Sequence, residues 1–177
     1  PFEHGTIDPV RDVETVDLEL LAADSTTLEN KINRMAKRVR SGDKDAIRET
    51  EDCVKVHDAI QQGITVRKQG LSAHELASIR ECNLVSLKPV LYVANIKSME
   101  DAVNHHVTAL RQIAEDEGAE MITVCGKDEA DISQLERNDQ QEFLQVLGIE
   151  KSSMETLVSL IKIGMMNENI DLKKRIC

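Results

Sequence analysis

The sequence predicts an α/β protein in which an antiparallel helical hairpin is joined to a mostly parallel sheet. Three observations point there. From Leu28 to Ile60, apolar residues recur at three- and four-residue spacing, with one break at Ser41-Gly42-Asp43. Two short runs rich in β-branched residues follow, Val90 to Ile96 and Met121 to Cys125, and the stretch between them returns to helical spacing. Strand, helix, strand in this order is a βαβ unit, whose two strands pair in parallel.

Taken in order, Val13, Val16, Leu20 and Ala23 lie on one face of a first helix, and Thr26 with Glu29 has the spacing of a capping box that opens a second. Leu28, Ile32, Met35 and Val39 form the stripe of that second helix. Past the break, Ala46, Cys53, Val56 and Ile60 form the stripe of the next, which stops at Gln62-Gly63. A link this short makes the two run antiparallel. After a polar connection over 64–71, Ser72 and Glu75 form another capping box, with Leu76, Ile79 and Leu84 on the apolar side of the helix it starts. The run VLYVANI reads as a strand covered on both faces. A helix carrying Val103, Val107, Leu110 and Ala114 then closes at Gly118, MITVC is the second strand, and two helices follow, near 143–147 and 154–165.

Composition narrows the chemistry. With 177 residues, 41% of them apolar, the chain can build one real core. Its only aromatics, Phe2, Tyr92 and Phe143, leave no platform for stacking single-stranded bases. A net charge of −10 opposes adhesion of the whole chain to nucleic acid or an anionic membrane, so any such contact must be local. Cys53, Cys82, Cys125 and Cys177 form no zinc-type cluster, and His105 and His106, being adjacent on a helix, point different ways. No stretch looks like a signal peptide or a membrane span, which favours a reduced, cytoplasmic setting without membrane partners.

In an open parallel sheet, ligands sit beyond the carboxyl ends of the strands. Here those ends are Asn95-Ile96-Lys97-Ser98 and Cys125-Gly126-Lys127, which face one crevice. An asparagine amide donates and accepts at once, as the N6 and N7 edge of adenine requires, and a glycine loop lets backbone N–H groups approach a ring. Gly126-Lys127 is not the end of a phosphate loop, because Met121 stands where the first glycine belongs and Asp128 where the magnesium-binding hydroxyl belongs. The pattern occurs nowhere else, so the chain alone should not hydrolyse a nucleotide, and no catalytic residue or metal ligand is assigned. On the first arm of the hairpin, Lys31, Arg34 and Arg38 share one face, with Lys37 and Arg40 nearby. They are either a solvated face or a surface for RNA phosphate or an acidic partner.

The segments IDPVRDVETVDLELLAAD, RSGDKDAIRE, LSAHELASIRECNLVSLKPVLYVANI, GAEMITVCGKDEADISQLE and FLQVLGIEKSSMETLVSLI, in this order, resemble the Obg-like ATPases of the YchF group, translation-factor-class P-loop proteins. The resemblance covers Ile7 to about Gly164. It implies a partial P-loop NTPase G domain with an inserted hairpin, ATP preferred over GTP as ligand, magnesium as cofactor, and association with the ribosome. It divides the chain into G-domain segment 1–24, hairpin 25–70, the C-terminal half of the G domain 71–166, and a divergent tail 167–177. The base motif of the family is Asn-x-x-Glu, and its match here is Asn95-Ile96-Lys97-Ser98, in which the asparagine is kept and the acid is not. Without an acid the site does not read guanine N1 and N2 in the usual way. Cys125-Gly126-Lys127 matches the second base-contacting loop in position. The family's phosphate loop would precede Ile7 and its TGS domain would follow Gly164, so the chain reads as a piece of a longer protein or a degenerate relative. Strands that would flank VLYVANI lie outside it, and the isolated chain is expected to self-associate through an exposed sheet edge.

Overall fold

The computed structural model describes residues 7–146, 152 and 155–162. Asp8–Pro89 forms one compact unit, and the described residues from Val90 onward, with Ile7, form the other.

Helix α1, Pro9–Arg40, starts with Asp8 accepting from the Arg11 N–H and with Pro9 in the first turn, where a missing N–H costs nothing. It runs unbroken for 32 residues, where two helices separated by a cap at Thr26 were expected. The reason is local. The Thr26 and Thr27 hydroxyls donate to the carbonyls of Ala22 and Ala23, one turn back, at 3.1 and 3.0 Å. A cap needs extended backbone and a hydroxyl that accepts, and neither threonine offers this. The helix ends in Lys37, Arg38 and Arg40, cations that suit the negative end of its dipole.

Gly42, at φ +79°, turns the chain, and Asp43 caps helix α2, Lys44–Gln61, by accepting from the N–H groups of Asp45 and Ala46. Leu21 and Leu28 of α1 pack against Cys53, Val56 and Ile60 of α2, together with Val66, Ile79 and Leu84. Burying each of the larger side chains stabilises the unit by about 1.5–3 kcal/mol. The capping box at Ser72 and Glu75 forms as read, with both reciprocal bonds, and opens helix α3, Ala73–Ile79. That helix stops short of Leu84. A single 3₁₀ turn, Arg80–Cys82, and Asn83 in the left-handed region carry the chain onward, and Leu84 reaches the core from beyond the helix. The carboxylate of Asp24, buried at mid-α1, holds this return by accepting from the N–H groups of Val85 and Ser86, both at 2.8 Å.

In the second unit, strand β1, Leu91–Ile96, pairs in parallel with strand β2, Glu120–Cys125, through the crossover helix α4, His105–Glu117. Asn104 caps α4 through Val107 N–H, so Val103 falls in the preceding 3₁₀ turn and is exposed, contrary to its expected place in the helical stripe. Gly118, at φ +63°, ends α4 as read. Tyr92, Ala94 and Ile96 are buried while Val93 and Asn95 are exposed, so β1 is covered on one face rather than two. Helix α5, Gly126–Ser133, starts directly after β2, and α6, Arg137–Val146, follows it. A further helical stretch spans 155–162. The expected ends at 147, 154 and 163–165 lie outside the described residues. Among those described, no helix is long and apolar enough to cross a membrane.

Candidate functional site

The strand register sets the site. Asn95 pairs with Val124 and Ile96 with Cys125, so both strands terminate level with each other and their following residues emerge at one edge. Ile96 and Cys125 are buried and anchor the two ends, while Asn95 and Lys97 are exposed and Ser98 is half-buried. The Cys125 thiol donates to the Lys97 carbonyl at 3.4 Å, tying the residues after β1 to the end of β2. The residues after β2 differ from the expected loop. Gly126 and Lys127 form the first turn of α5, with no intervening loop, and Asp128 and Glu129 complement the positive end of the helix dipole.

This change keeps the chemistry that a loop was expected to supply. N–H groups in the first turn of a helix have no intrahelical acceptor, and Cys125 provides no side-chain cap. A Cβ added at Gly126 would stand 3.6 Å from Asn95 Oδ1, so this glycine and the asparagine amide are neighbours. Neither the Asn95 amide nor the Ser98 hydroxyl hydrogen-bonds within the described residues, and Ser98 does not cap the 3₁₀ turn that follows it. The Asn95 amide and the first turn of α5 thus lie side by side at the carboxyl ends of the two strands. That donor set fits the rim of a purine, with one amide to pair an adjacent donor and acceptor. Among the described residues, no group of His, Cys, Asp and Glu is placed to hold a metal ion.

The hairpin cations separate into two kinds. Lys31 does not reach solvent: it is 5% exposed, donates to the Ser78 carbonyl at 2.6 Å, and pairs with Glu49 at 2.5 Å. Burial alone lowers a lysine pKa, but the Glu49 hydrogen bond and charge outweigh it here and hold Lys31 above its ordinary value. Lys31 therefore ties α1 to α2 and α3 and does not present its charge at the surface, contrary to its expected place on an exposed basic face. Arg34 and Arg38 are exposed, and Arg38 pairs with Asp43 at 2.8 Å.

Spacing gave no sign of a polar clasp between α1 and α2, because its members are distant in the chain. Ser25 Oγ lies 3.0 Å from His57 Nε2, Glu29 Oε1 lies 3.2 Å from the same nitrogen, and Gln61 donates to Ser25 Oγ at 2.9 Å. A nucleophilic triad needs the acid on the other ring nitrogen, so this group is a structural clasp. Cys53 is also not a nucleophile, since burial pushes its thiol up to about 11.

Comparison with known proteins bears on the fold and the family. No family model matches the chain. It is 37% identical over 157 residues to the ribosome-binding ATPase YchF of Bacillus subtilis, a match that covers 87% of this chain and 43% of the relative. The same protein from Escherichia coli O157:H7 is 34% identical over 154 residues, covering 87% and 42%. The chain spans less than half the length of these relatives. Among solved structures, that of the Schizosaccharomyces pombe YchF GTPase superposes with a TM-score of 0.79 at 21% identity, covering 92% of this chain and 45% of that one. The fold is accordingly that of a partial G domain with a helical hairpin, and over the stretch these relatives share with it the chain belongs to the Obg-like ATPase family of YchF proteins.

Proposed function

We propose that this chain supplies the base-contacting strand ends of a nucleotide-binding domain within a ribosome-associated, cytoplasmic ATPase. Asn95 reads the base edge, Ser98 lies beside it, and Cys125, Gly126 and Lys127 line the other side. Ile96 and Lys97 complete the first strand end. The observation that carries this reading is the level register of β1 and β2, which sets the uncommitted Asn95 amide against the first turn of α5. ATP is preferred over GTP, because a guanine left without a carboxylate partner has its N1 and N2 donors unsatisfied. Magnesium and the phosphates belong to a phosphate loop, and no residue of this chain is assigned to them.

The test is titration calorimetry of the natural gene product with ATP and with GTP in the presence of magnesium. Tighter binding of ATP supports the proposal, and no binding of either nucleotide refutes it. A second reading, favoured by Ser98 in place of an acid, makes the chain an interaction module that acts through its hairpin and keeps the nucleotide site as a vestige. Protein that binds ribosomes but neither nucleotide would select that reading.

A further inference from the structure

Ser41 stands in the turn between α1 and α2, exposed, at the C-cap of α1 and ahead of Gly42 at φ +79°. Its hydroxyl donates to the Arg38 carbonyl at 2.8 Å and its N–H to the Lys37 carbonyl. Lys37, Arg38 and Arg40, all exposed, lie four, three and one positions before it. Among the described residues, no other exposed serine or threonine has an arginine three positions before it. Beyond Met35, α1 has no fully buried side chain, so its last turn can open without uncovering the core. The backbone bonds given up, Ser41 N–H to the Lys37 carbonyl and Asp43 N–H to the Arg38 carbonyl, lie at the tip, where water replaces them. An enzyme that needs this segment extended can therefore take it from the folded protein.

We infer that Ser41 is a phosphorylation site for an arginine-directed serine kinase, with ATP as donor, a modification independent of the strand-end site. Kinases select substrates by charge pattern, and a guanidinium three positions before the serine suits bidentate pairing with carboxylates in an acidic substrate groove. The Ser41 Oγ attacks the γ-phosphorus of kinase-bound ATP, the new O–P bond forming as the bond to the β–γ bridging oxygen breaks. ADP leaves with that electron pair, and the hydroxyl proton passes to the catalytic carboxylate of the kinase. The product rearranges the turn. A phosphoserine dianion cannot donate to the Arg38 carbonyl, so that bond is lost. The new charge is unfavourable at the carbonyl end of α1 and favourable ahead of the first turn of α2. Arg38, now held by Asp43 at 2.8 Å, transfers to the phosphate, and Asp43 keeps its cap on the N–H groups of Asp45 and Ala46. Residues 34–48 carry six cations against two acids, so a phosphate of nearly two charges cuts their net positive charge by about half.

The test treats the full-length protein with ATP and the catalytic subunit of cyclic-AMP-dependent protein kinase, an arginine-directed serine kinase. Cleavage after glutamate releases the Asn30–Glu49 peptide, in which Ser41 is the only hydroxyl residue, so its mass locates the phosphate. Incorporation should reach about one phosphate on this peptide and vanish in Ser41→Ala. Arg38→Gln should lower kcat/KM for the kinase about tenfold, Arg38→Lys should recover part of the loss, and Arg80→Gln, an exposed cation away from the turn, should change nothing. Thermal melts matching the unsubstituted protein report that each variant is folded. Phosphate found only outside this peptide would overturn the inference, as would a rate indifferent to Arg38→Gln. The same peptide from protein isolated from its source should carry the phosphate, and its absence from both growing and starved cells would also overturn it. In the phosphorylated protein the Arg38 Nε–H signal should no longer respond to Asp43→Asn, and a signal still governed by Asp43 would refute the transfer of Arg38.

Discussion

Replacing Lys31 with alanine decides between two roles for that residue. Its ammonium lies between the Glu49 carboxylate and the Ser78 carbonyl, with 7% of the side chain exposed, so the substitution leaves both acceptors without their donor. Removing one partner of a buried ion pair costs about 3–5 kcal/mol. Glu49 keeps 32% of its side chain exposed and is partly rehydrated, which brings the expected loss toward about 2–3 kcal/mol. Lys31→Met keeps the apolar stem and should cost less, and pairing it with Glu49→Leu should return stability to within about 1 kcal/mol, because an apolar pair of similar volume replaces a buried ionic one. Urea denaturation followed by circular dichroism measures all four proteins. The stability from this pair is intact below pH 10.5, the ordinary lysine value, and is lost as pH rises through the higher value of the folded state. A Lys31→Ala protein within about 0.5 kcal/mol of the parent, yet unable to bind its partner, would refute the structural role and restore Lys31 to the surface.

Three further outcomes are expected. The Lys55 ammonium, with the Ser72 N–H and hydroxyl, lowers the Glu75 pKa to about 2, so the contribution of Glu75 persists above pH 4.5 and fades as pH falls toward 2; Glu75→Gln should flatten the acid limb of a stability–pH curve in that window. On the proposed base site, Ser98→Asp adds the carboxylate that guanine N1 and N2 require, and should shift the ratio of ATP to GTP affinity toward GTP by about tenfold in competition titrations, an unchanged ratio placing the base elsewhere. Val93 is 45% exposed on a two-stranded sheet, so sedimentation of the isolated chain should show dimers or larger species, and a concentration-independent monomer would contradict this.

The sequence displayed what depends on short-range patterning. Both strands, the turn at Gly42, the capping box at Ser72 and the stop at Gly118 were legible because each rests on residues within a few positions of one another. Thr26 shows how that reasoning fails. Its spacing to Glu29 fits a cap, but a threonine hydroxyl can donate to the preceding turn as readily as it can accept, and the buried partners of Leu21 and Leu28 kept the helix continuous. Lys31 failed for a different reason. Its periodicity with Arg34 and Arg38 is real, but whether a lysine meets solvent or a buried partner depends on Glu49 of α2 and on the Ser78 carbonyl of α3, 47 residues away. At the site, the pairing of the two strand ends followed from parallel topology alone, while the start of α5 at Gly126 was hidden because a glycine after a strand reads first as a turn.

The most direct test of the strand-end site is a nitrogen–proton correlation spectrum of the labelled protein during titration with ATP and magnesium. The account predicts that the Asn95 side-chain amide and the Gly126 and Lys127 backbone amides shift first and saturate together, and that Asn95→Ala removes the response. Saturating shifts confined to the hairpin, or an Asn95→Ala protein that binds ATP as tightly as the parent, would contradict it.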